Sequence, residues 1–323
     1  CHAGIMLTAS HNPKQYNGYK AYGHDGGQLV APIDTEVIRE VRAITDIKQV
    51  NFNGNNSLLT LIGEDMDKLY MDKIKKFSVH PELRLLKNDL SIVYTSLHGT
   101  GITMVPDVLK DWGFEEVFVE EQQAVTDGDF PTVESPNPEE RTAFKLGLIL
   151  AETVNADIVL ATDPDCDRVG LAVRSSKGNY ELLNGNEIGS LMVYYVLSGA
   201  HERNLLDGRQ FIVKTIVTTS LISSIAKSFG VKEYDVLTGF KYIAEKMTLL
   251  EGKETFLVGG EESYGYLIGD HVRDKDAIIS AAIIAEMASY YKSQGQTLLD
   301  KIQFLHQTYG AYKEKLVSVT REG

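Results

Sequence analysis

D-I-V-L-A-T-D-P-D-C-D-R, residues 157–168, is the stretch that decides the fold. Its first part, 157–161, is a short, mostly aliphatic run that reads as a strand. Residues 163–168 then end the strand with a proline and three alternating aspartates. Open α/β sheets place ligands just beyond the carboxyl ends of their strands, so an acidic turn here reads as a site as well as a turn. V-G-L-A-V at 169–173 looks like a hairpin-like continuation.

In an extended turn the carboxylates of Asp163, Asp165 and Asp167 can converge on one hard cation, and oxygen ligands of this kind suit Mg²⁺ or Mn²⁺. An EF-hand loop fails two tests, because its sixth position would be Arg168 rather than Gly and its twelfth Arg174 rather than Glu. The same aspartates also describe an acidic, solvated turn, and spacing alone leaves both readings open. Arg168 adds a fixed donor for a phosphate beside a metal.

Outward from this strand the pattern alternates. S-I-V-Y-T at 91–95 and E-V-F-V-E at 116–120 read as strands, separated by the turn G-T-G at 99–101 and a helix through Val105, Val108, Leu109 and Trp112. A Pro-containing loop, 122–138, and a helix near 139–154 lead back to the central strand. A second series starts after the turn at 184–186, with a helix over 187–198, strands near 211–215, 233–236 and 255–259, helices between them, and closing helices at 276–292 and 297–308. Ahead of both series, Val37, Ile38, Val41 and Ile44 form one helical stripe, 51–57 reads as a linker, and Met66, Leu69, Tyr70, Ile74 and Phe77 mark a helix over 64–77. Alternating strands and helices predict an α/β protein with mostly parallel sheets covered by helices.

The chain has 323 residues, enough for two or three domains, and 45 acidic against 32 basic side chains give a formal net charge of −13. That balance argues against a nucleic-acid footprint, which is basic. No apolar run approaches the ~20 residues of a membrane helix. Two cysteines, Cys1 and Cys166, form no disulfide framework and suit a reducing cytoplasm. The chain opens at Cys1 and is inside a motif within ten residues, so its start reads as a cut.

Three further strings carry chemistry. T-A-S-H-N-P at 8–13 offers Ser10 as a nucleophile or phosphoryl carrier with Lys20 downstream, or is plain turn chemistry. G-E-E-S-Y-G at 260–265 follows a strand and suits hydrogen bonding to neighbouring sugar hydroxyls better than a glycosidase pair. D-H-V-R-D-K-D at 270–276 offers His271, Arg273 and Lys275 to an anion, or is a solvated charged loop. S-L-H-G-T-G at 96–101 could present backbone N–H groups to a phosphate, though by itself it reads better as a tight βα turn.

Taken together and in this order, T-A-S-H-N-P, D-P-D-C-D-R and G-E-E-S-Y-G resemble the α-D-phosphohexomutase superfamily of phosphoglucomutases and phosphomannomutases. S-L-H-G-T-G, the D-G-D-F-P…P-N-P-E loop at 127–139, T-G-F-K at 238–241 and D-H-V-R-D-K-D extend the resemblance over essentially the whole chain, and T-L-T-G-F-K with G-E-E-S-Y-G is most like the phosphoglucomutase branch. The resemblance implies tandem mixed-sheet α/β domains of the phosphohexomutase type: 1–58 carrying the serine loop, 59–184 the metal loop, and 185–323 the sugar loop and the start of a linker. It also implies that the start of a first domain and a fourth domain, with its R-x-S-G-T-x-P-type phosphate loop, are absent, so that this chain binds metal but catalyses poorly.

The implied reaction interconverts hexose 1- and 6-phosphates, glucose first, through a phosphoserine and a 1,6-bisphosphate. By resemblance, Ser10 is the phosphoserine, and Asp163, Asp165 and Asp167 hold Mg²⁺ with Ser10 completing the site. Lys20 is a general acid/base, His11 and Arg168 are phosphoserine neighbours, and Lys275 is a second proton-transfer group. Thr238 and Gly239 belong to the sugar-facing loop, while Glu261 and Ser263 grip sugar hydroxyls. The implied cofactors are one Mg²⁺ and glucose 1,6-bisphosphate as activator, and the partner is a sugar phosphate. No nucleic acid, membrane or obligate protein partner is implied, and the location is cytoplasmic. Rival readings are phosphomannomutase or phosphopentomutase activity, a metal-dependent sugar phosphatase, or a non-catalytic sugar-phosphate-binding module.

Overall fold

The aliphatic run at 157–161 lies in the middle of a five-stranded sheet. The structure, a computed structural model, describes residues 1–85 and 89–315, so the far end of the expected linker, 316–323, lies outside the described residues. Strand β5, Ile158–Thr162, is buried along its whole length, as a strand covered on both faces must be. Its parallel neighbour is β3, Ile92–Thr95, which pairs on its other side with β4, Val117–Val119. Beyond β5 the sheet turns antiparallel through β6, Val169–Arg174, and β7, Tyr180–Leu183. The order is β4-β3-β5-β6-β7. Helices α3, Val105–Asp111, and α4, Lys145–Val154, make the crossovers.

The expected helix near 139 starts later, at Lys145. Residues 139–144 are spent in turns, with the Asn137 side chain accepting from the Glu139 amide at 3.0 Å. This Asx-type contact competes with helix formation.

The second series forms a four-stranded sheet in the order β11-β10-β8-β9. Its parallel strands are β8, Gln210–Thr215, β9, Lys232–Val236, and β10, Thr255–Gly260; β11, Tyr266–Ile268, adds an antiparallel edge. Helices α5, Gly185–Glu202, α6, Ser220–Ser228, and α7, Phe240–Leu250, connect it. An Asn184–Glu187 capping box starts α5 at the Asn-containing turn.

Helix α8, Ala277–Ser293, is apolar nearly all round, and such helices are buried. It packs on β5 and β6 of one sheet and on β11 of the other, so one continuous core joins the two units. Helix α9, Leu298–Tyr309, packs on α5 and α6. Glu286 of α8 is 2% exposed and has the 78–80 turn folded around it. It accepts from Ser78 Oγ, from the Val79 and His80 amides at 2.7 and 3.0 Å, and from Tyr195 OH at 3.0 Å.

Ahead of these units stands a two-stranded hairpin, β1, Gly4–Leu7, with β2, Tyr19–Tyr22. It is followed by α1, Ile33–Ala43, and α2, Glu64–Ile74, the latter extended by a short 3₁₀ turn. The stripe Ile38, Val41 and Ile44 on and just after α1 faces solvent. Periodicity identifies the face that can be covered, and among the described residues nothing buries it. No described helix is long and apolar enough to cross a membrane.

Candidate active site

The β1–β2 ladder pairs Met6 with Lys20 and Leu7 with Tyr19, and the Thr8 amide closes the intervening loop on Gly18 O at 3.1 Å. At the tip, Ser10 has φ +53°, a left-handed conformation uncommon outside glycine. Thr8 Oγ1 holds that turn by accepting from the Ser10 amide at 2.8 Å, and donates in turn to Asp165 Oδ2 at 3.0 Å. Ser10 Oγ then donates to Asp163 Oδ2 at 2.8 Å, with His11 Nδ1 at 3.1 Å. Burial, and then Arg168, lower the His11 pKa to about 4, so the ring is neutral at pH 7, and with the Ser10 hydroxyl donating to Asp163 it is the Nδ1–H tautomer that donates to Ser10 Oγ.

Asp163, Asp165 and Asp167 each bring a carboxylate oxygen within 4.8 Å of the others. Asp163 is fully buried at the end of β5, and its Oδ1 accepts from the amides of Asp167 at 3.0 Å and Arg168 at 2.9 Å. Burial and the two neighbouring carboxylates push its pKa well up. Burial alone would also raise Asp167, but Lys275 and then Lys20 hold it below its ordinary value. Among the described residues, Asp165 Oδ1 and Asp167 Oδ1 are buried without a hydrogen-bond partner. Converging carboxylates with orphaned oxygens are the donor set a hard divalent cation takes, so the residues present fit Mg²⁺ or Mn²⁺.

Two lysines from different elements meet this cluster. Lys20 Nζ is 3.4 Å from Asp165 Oδ2 and 3.3 Å from Asp167 Oδ2, and Lys275 Nζ is 2.9 Å from Asp167 Oδ2. Burial would lower the Lys275 pKa, but Asp167 and Asp274 outweigh it and hold the group as an ammonium. Lys275 reaches the cluster along Gly265, where any β-carbon would stand 2.1 Å from Lys275 Cδ.

The motif loops are bonded to one another. The Arg168 guanidinium donates to Glu139 Oε1 at 3.0 Å and to Ser263 O at 3.1 Å. The Val169 amide binds Tyr264 O at 3.1 Å and the Ala277 amide binds Cys166 O at 3.1 Å. In the sugar-loop candidates, Glu261 is buried and its Oε1 accepts from the Gly239 amide at 2.9 Å; burial raises its pKa, with Gly239 and Lys275 opposing. Thr238 is exposed and Ser263 half-buried. A cavity of about 500 Å³ opens beside Ser10, bounded by Thr8, Lys14, His98, Thr100 and Asp165 among others.

Two of the readings left open above are narrowed. S-L-H-G-T-G is the tight βα turn: His98 N is taken by Gln123 O, Gly99 N by Ser96 O and Thr100 N by Pro164 O, so this turn buttresses the aspartate loop. In D-H-V-R-D-K-D only Lys275 meets the carboxylates. His271 is buried against Asp276 at 2.8 Å, and Arg273 binds Asp270 O and Val272 O.

Family models for phosphoglucomutase/phosphomannomutase α/β/α domains I, II and III match residues 1–48, 68–178 and 184–307. The chain belongs to the phosphoglucomutase/phosphomannomutase family. A phosphoglucomutase of Staphylococcus haemolyticus is 39% identical over 321 residues, 99% of this chain and 58% of the relative, so the chain spans little more than half the length of such relatives. Among solved structures, a phosphoglucomutase/phosphomannomutase family protein from Burkholderia thailandensis superposes with a TM-score of 0.69 at 19% identity, over 94% of this chain and 58% of that one. The Aspergillus fumigatus N-acetylphosphoglucosamine mutase in complex with GlcNAc-6P and magnesium gives 0.61 at 14% identity, over 95% and 73%. At these identities the likeness is one of fold.

Within this family fold, sequence reasoning did not single out Thr8, which links the serine turn to Asp165, or Glu139, which holds Arg168. Both lie inside strings already quoted, T-A-S-H-N-P and P-N-P-E, and a polar residue inside a motif loop was the available signal.

Proposed function

We propose that the chain carries the phosphoserine chemistry of a hexose-phosphate mutase, interconverting hexose 1- and 6-phosphates, glucose first, with Ser10 as the phosphoryl carrier and with slow turnover in the 323-residue chain itself. One observation carries the reading: Ser10 Oγ lies 2.8 Å from Asp163 Oδ2, inside a cluster whose three carboxylates gather within 4.8 Å. Nucleophile and cation donors from segments 153 residues apart in sequence meet at one point. An acidic solvated turn needs no serine there.

Asp163, Asp165 and Asp167, with the oxygen of Ser10, would hold Mg²⁺, which when bound supplies charge neutralisation for the transferring phosphoryl group. In the first transfer the P–O bond to Ser10 breaks as a P–O bond to a sugar hydroxyl forms, and that hydroxyl's proton leaves to a neighbouring base. In the second the other P–O bond of the bisphosphate breaks as a P–O bond to Ser10 re-forms, and the Ser10 proton passes by a neighbouring acid/base to the departing sugar oxygen. Lys20 and Lys275 are the proton-transfer groups of this scheme, and Lys275, held as an ammonium by Asp167 and Asp274, serves on the proton-donating side. Arg168 and His11 face the phosphoserine oxygens, while Thr238, Gly239, Glu261 and Ser263 orient the sugar. A 1,6-bisphosphate is the intermediate that reorients between the two transfers and the activator that primes Ser10. The domain division 1–58, 59–184 and 185–323 is proposed on the same grounds.

The test follows glucose 1-phosphate with Mg²⁺, reading glucose 6-phosphate and inorganic phosphate side by side. Glucose 6-phosphate formed only when glucose 1,6-bisphosphate is added, and lost in Ser10→Ala, is the expected result. Inorganic phosphate as the main product, with no bisphosphate requirement, would make the protein a sugar phosphatase instead.

A further inference from the structure

Lys20 and Lys275 arrive from opposite ends of the chain, yet both put their ammonium groups on one oxygen, Asp167 Oδ2, at 3.3 and 2.9 Å. A further contact joins the two segments that carry them. Tyr22 stands two residues after Lys20 on β2, so the two side chains leave the same face of the strand. Its hydroxyl donates to Asp274 Oδ2 at 2.7 Å, and Asp274 Oδ1 accepts from the backbone amide of Lys275 at 2.9 Å. Tyr22, Asp274, Lys275, Asp167 and Lys20 therefore close a ring of contacts through β2.

We propose that Tyr22 and Asp274 are a positioning pair that holds Lys20 in register with Lys275 across Asp167. The proposal rests on the reading of these lysines as proton-transfer groups. On one side the Lys275 loop is already fixed. Asp276 Oδ2 accepts from Tyr70 OH at 2.6 Å and from His271 Nε2 at 2.8 Å, while Oδ1 caps α8 through the Ile278 and Ile279 amides at 2.9 and 3.2 Å. The other side is a hairpin of two four-residue strands, and an isolated hairpin is marginal in water. The other contacts from its neighbourhood to the unit built on the four-stranded sheet, Lys241 to Asp34 at 3.5 Å and Thr248 to Asp25 at 3.3 Å, are long and more exposed. The Tyr22–Asp274 bond is short, half-buried and made to a carboxylate, the stronger kind of hydrogen bond. Burial, and then Asp274, push the Tyr22 phenol far above its ordinary value, so it stays a donor across neutral pH.

The pair is tested in the 323-residue chain with Tyr22→Phe, Asp274→Ala and the double variant. Single-turnover phosphoryl transfer from glucose 1,6-bisphosphate to Ser10 should slow on the order of 10- to 100-fold in each single variant, as for a misplaced catalytic group. Bisphosphate affinity should stay within about twofold, and the double variant should be no slower than the slower single, because both remove one shared contact. Asp274→Asn, which keeps an acceptor for Tyr22, should recover part of the rate. Amide hydrogen exchange should speed up in residues 19–22 and 270–276 together in Tyr22→Phe. Unchanged transfer in Tyr22→Phe, additive losses in the double variant, or exchange that changes only in residues 19–22 would each overturn the pair. A wild-type chain that accepts no phosphate would instead defeat the functional reading, and the exchange measurement would still decide whether Tyr22 and Asp274 hold the two segments together.

Discussion

A methyl group at position 265 would collide with the stem of Lys275, since its carbon would lie 2.1 Å from Cδ. Gly265 is thus set by a side chain, and Gly265→Ala should cost about 1–3 kcal/mol as overpacking. Denaturant unfolding measures that cost, and phosphoryl transfer to Ser10 should fall as Lys275 is displaced, while Mn²⁺ affinity stays near wild type. A full-rate, fully stable variant would mean that Lys275 reaches the cluster by another route. The residues proposed to carry the chemistry were legible in the sequence because they are contiguous: Asp163, Asp165 and Asp167 share one turn, and Ser10 and His11 share another. Their supports were not, because each contact spans the chain. Thr8 meets Asp165 across 157 residues, Tyr22 meets Asp274 across 252 and Tyr70 meets Asp276 across 206. No local pattern marks such pairs.

Helix α8 shows how one element can be legible in outline and still hide its anchor. Its largely apolar composition marks a buried helix, and it does lie between the two sheets. Glu286 in that run reads as an exception, but the structure makes it the acceptor for two amides and two hydroxyls. Glu286→Ala strands several buried donors at about 1–3 kcal/mol each, so a loss of roughly 3–5 kcal/mol in urea unfolding is expected. A loss below about 1 kcal/mol, the level of an ordinary substitution, would contradict this account. The elements that escaped the sequence reading are β1, β2, β7 and β11, all of three or four residues. Strands that short have too few positions to establish a period, and their partners rather than their composition create them. The reverse holds for α1, whose apolar stripe is clear in sequence and solvent-facing in the structure.

Over the whole molecule the charge is −13, yet Lys20, Lys275 and Arg168 crowd around the aspartate loop, from the hairpin and from both larger units. The proposed anionic sugar-phosphate substrate, on an acidic protein, requires this local reversal of sign. The α8 core and the loop-to-loop bonds at Arg168, Val169 and Ala277 explain how segments from three sheets converge there. The central claim is that this convergence makes Ser10 a phosphoryl carrier that depends on the three aspartates. The most direct measurement is intact mass with peptide mapping after incubation with Mg²⁺ and glucose 1,6-bisphosphate. The account predicts one phosphoryl group, on Ser10, absent in Ser10→Ala and in Asp165→Ala and absent when the metal is chelated. Phosphate on another residue, or on Ser10 to the same extent in Asp165→Ala, would contradict it.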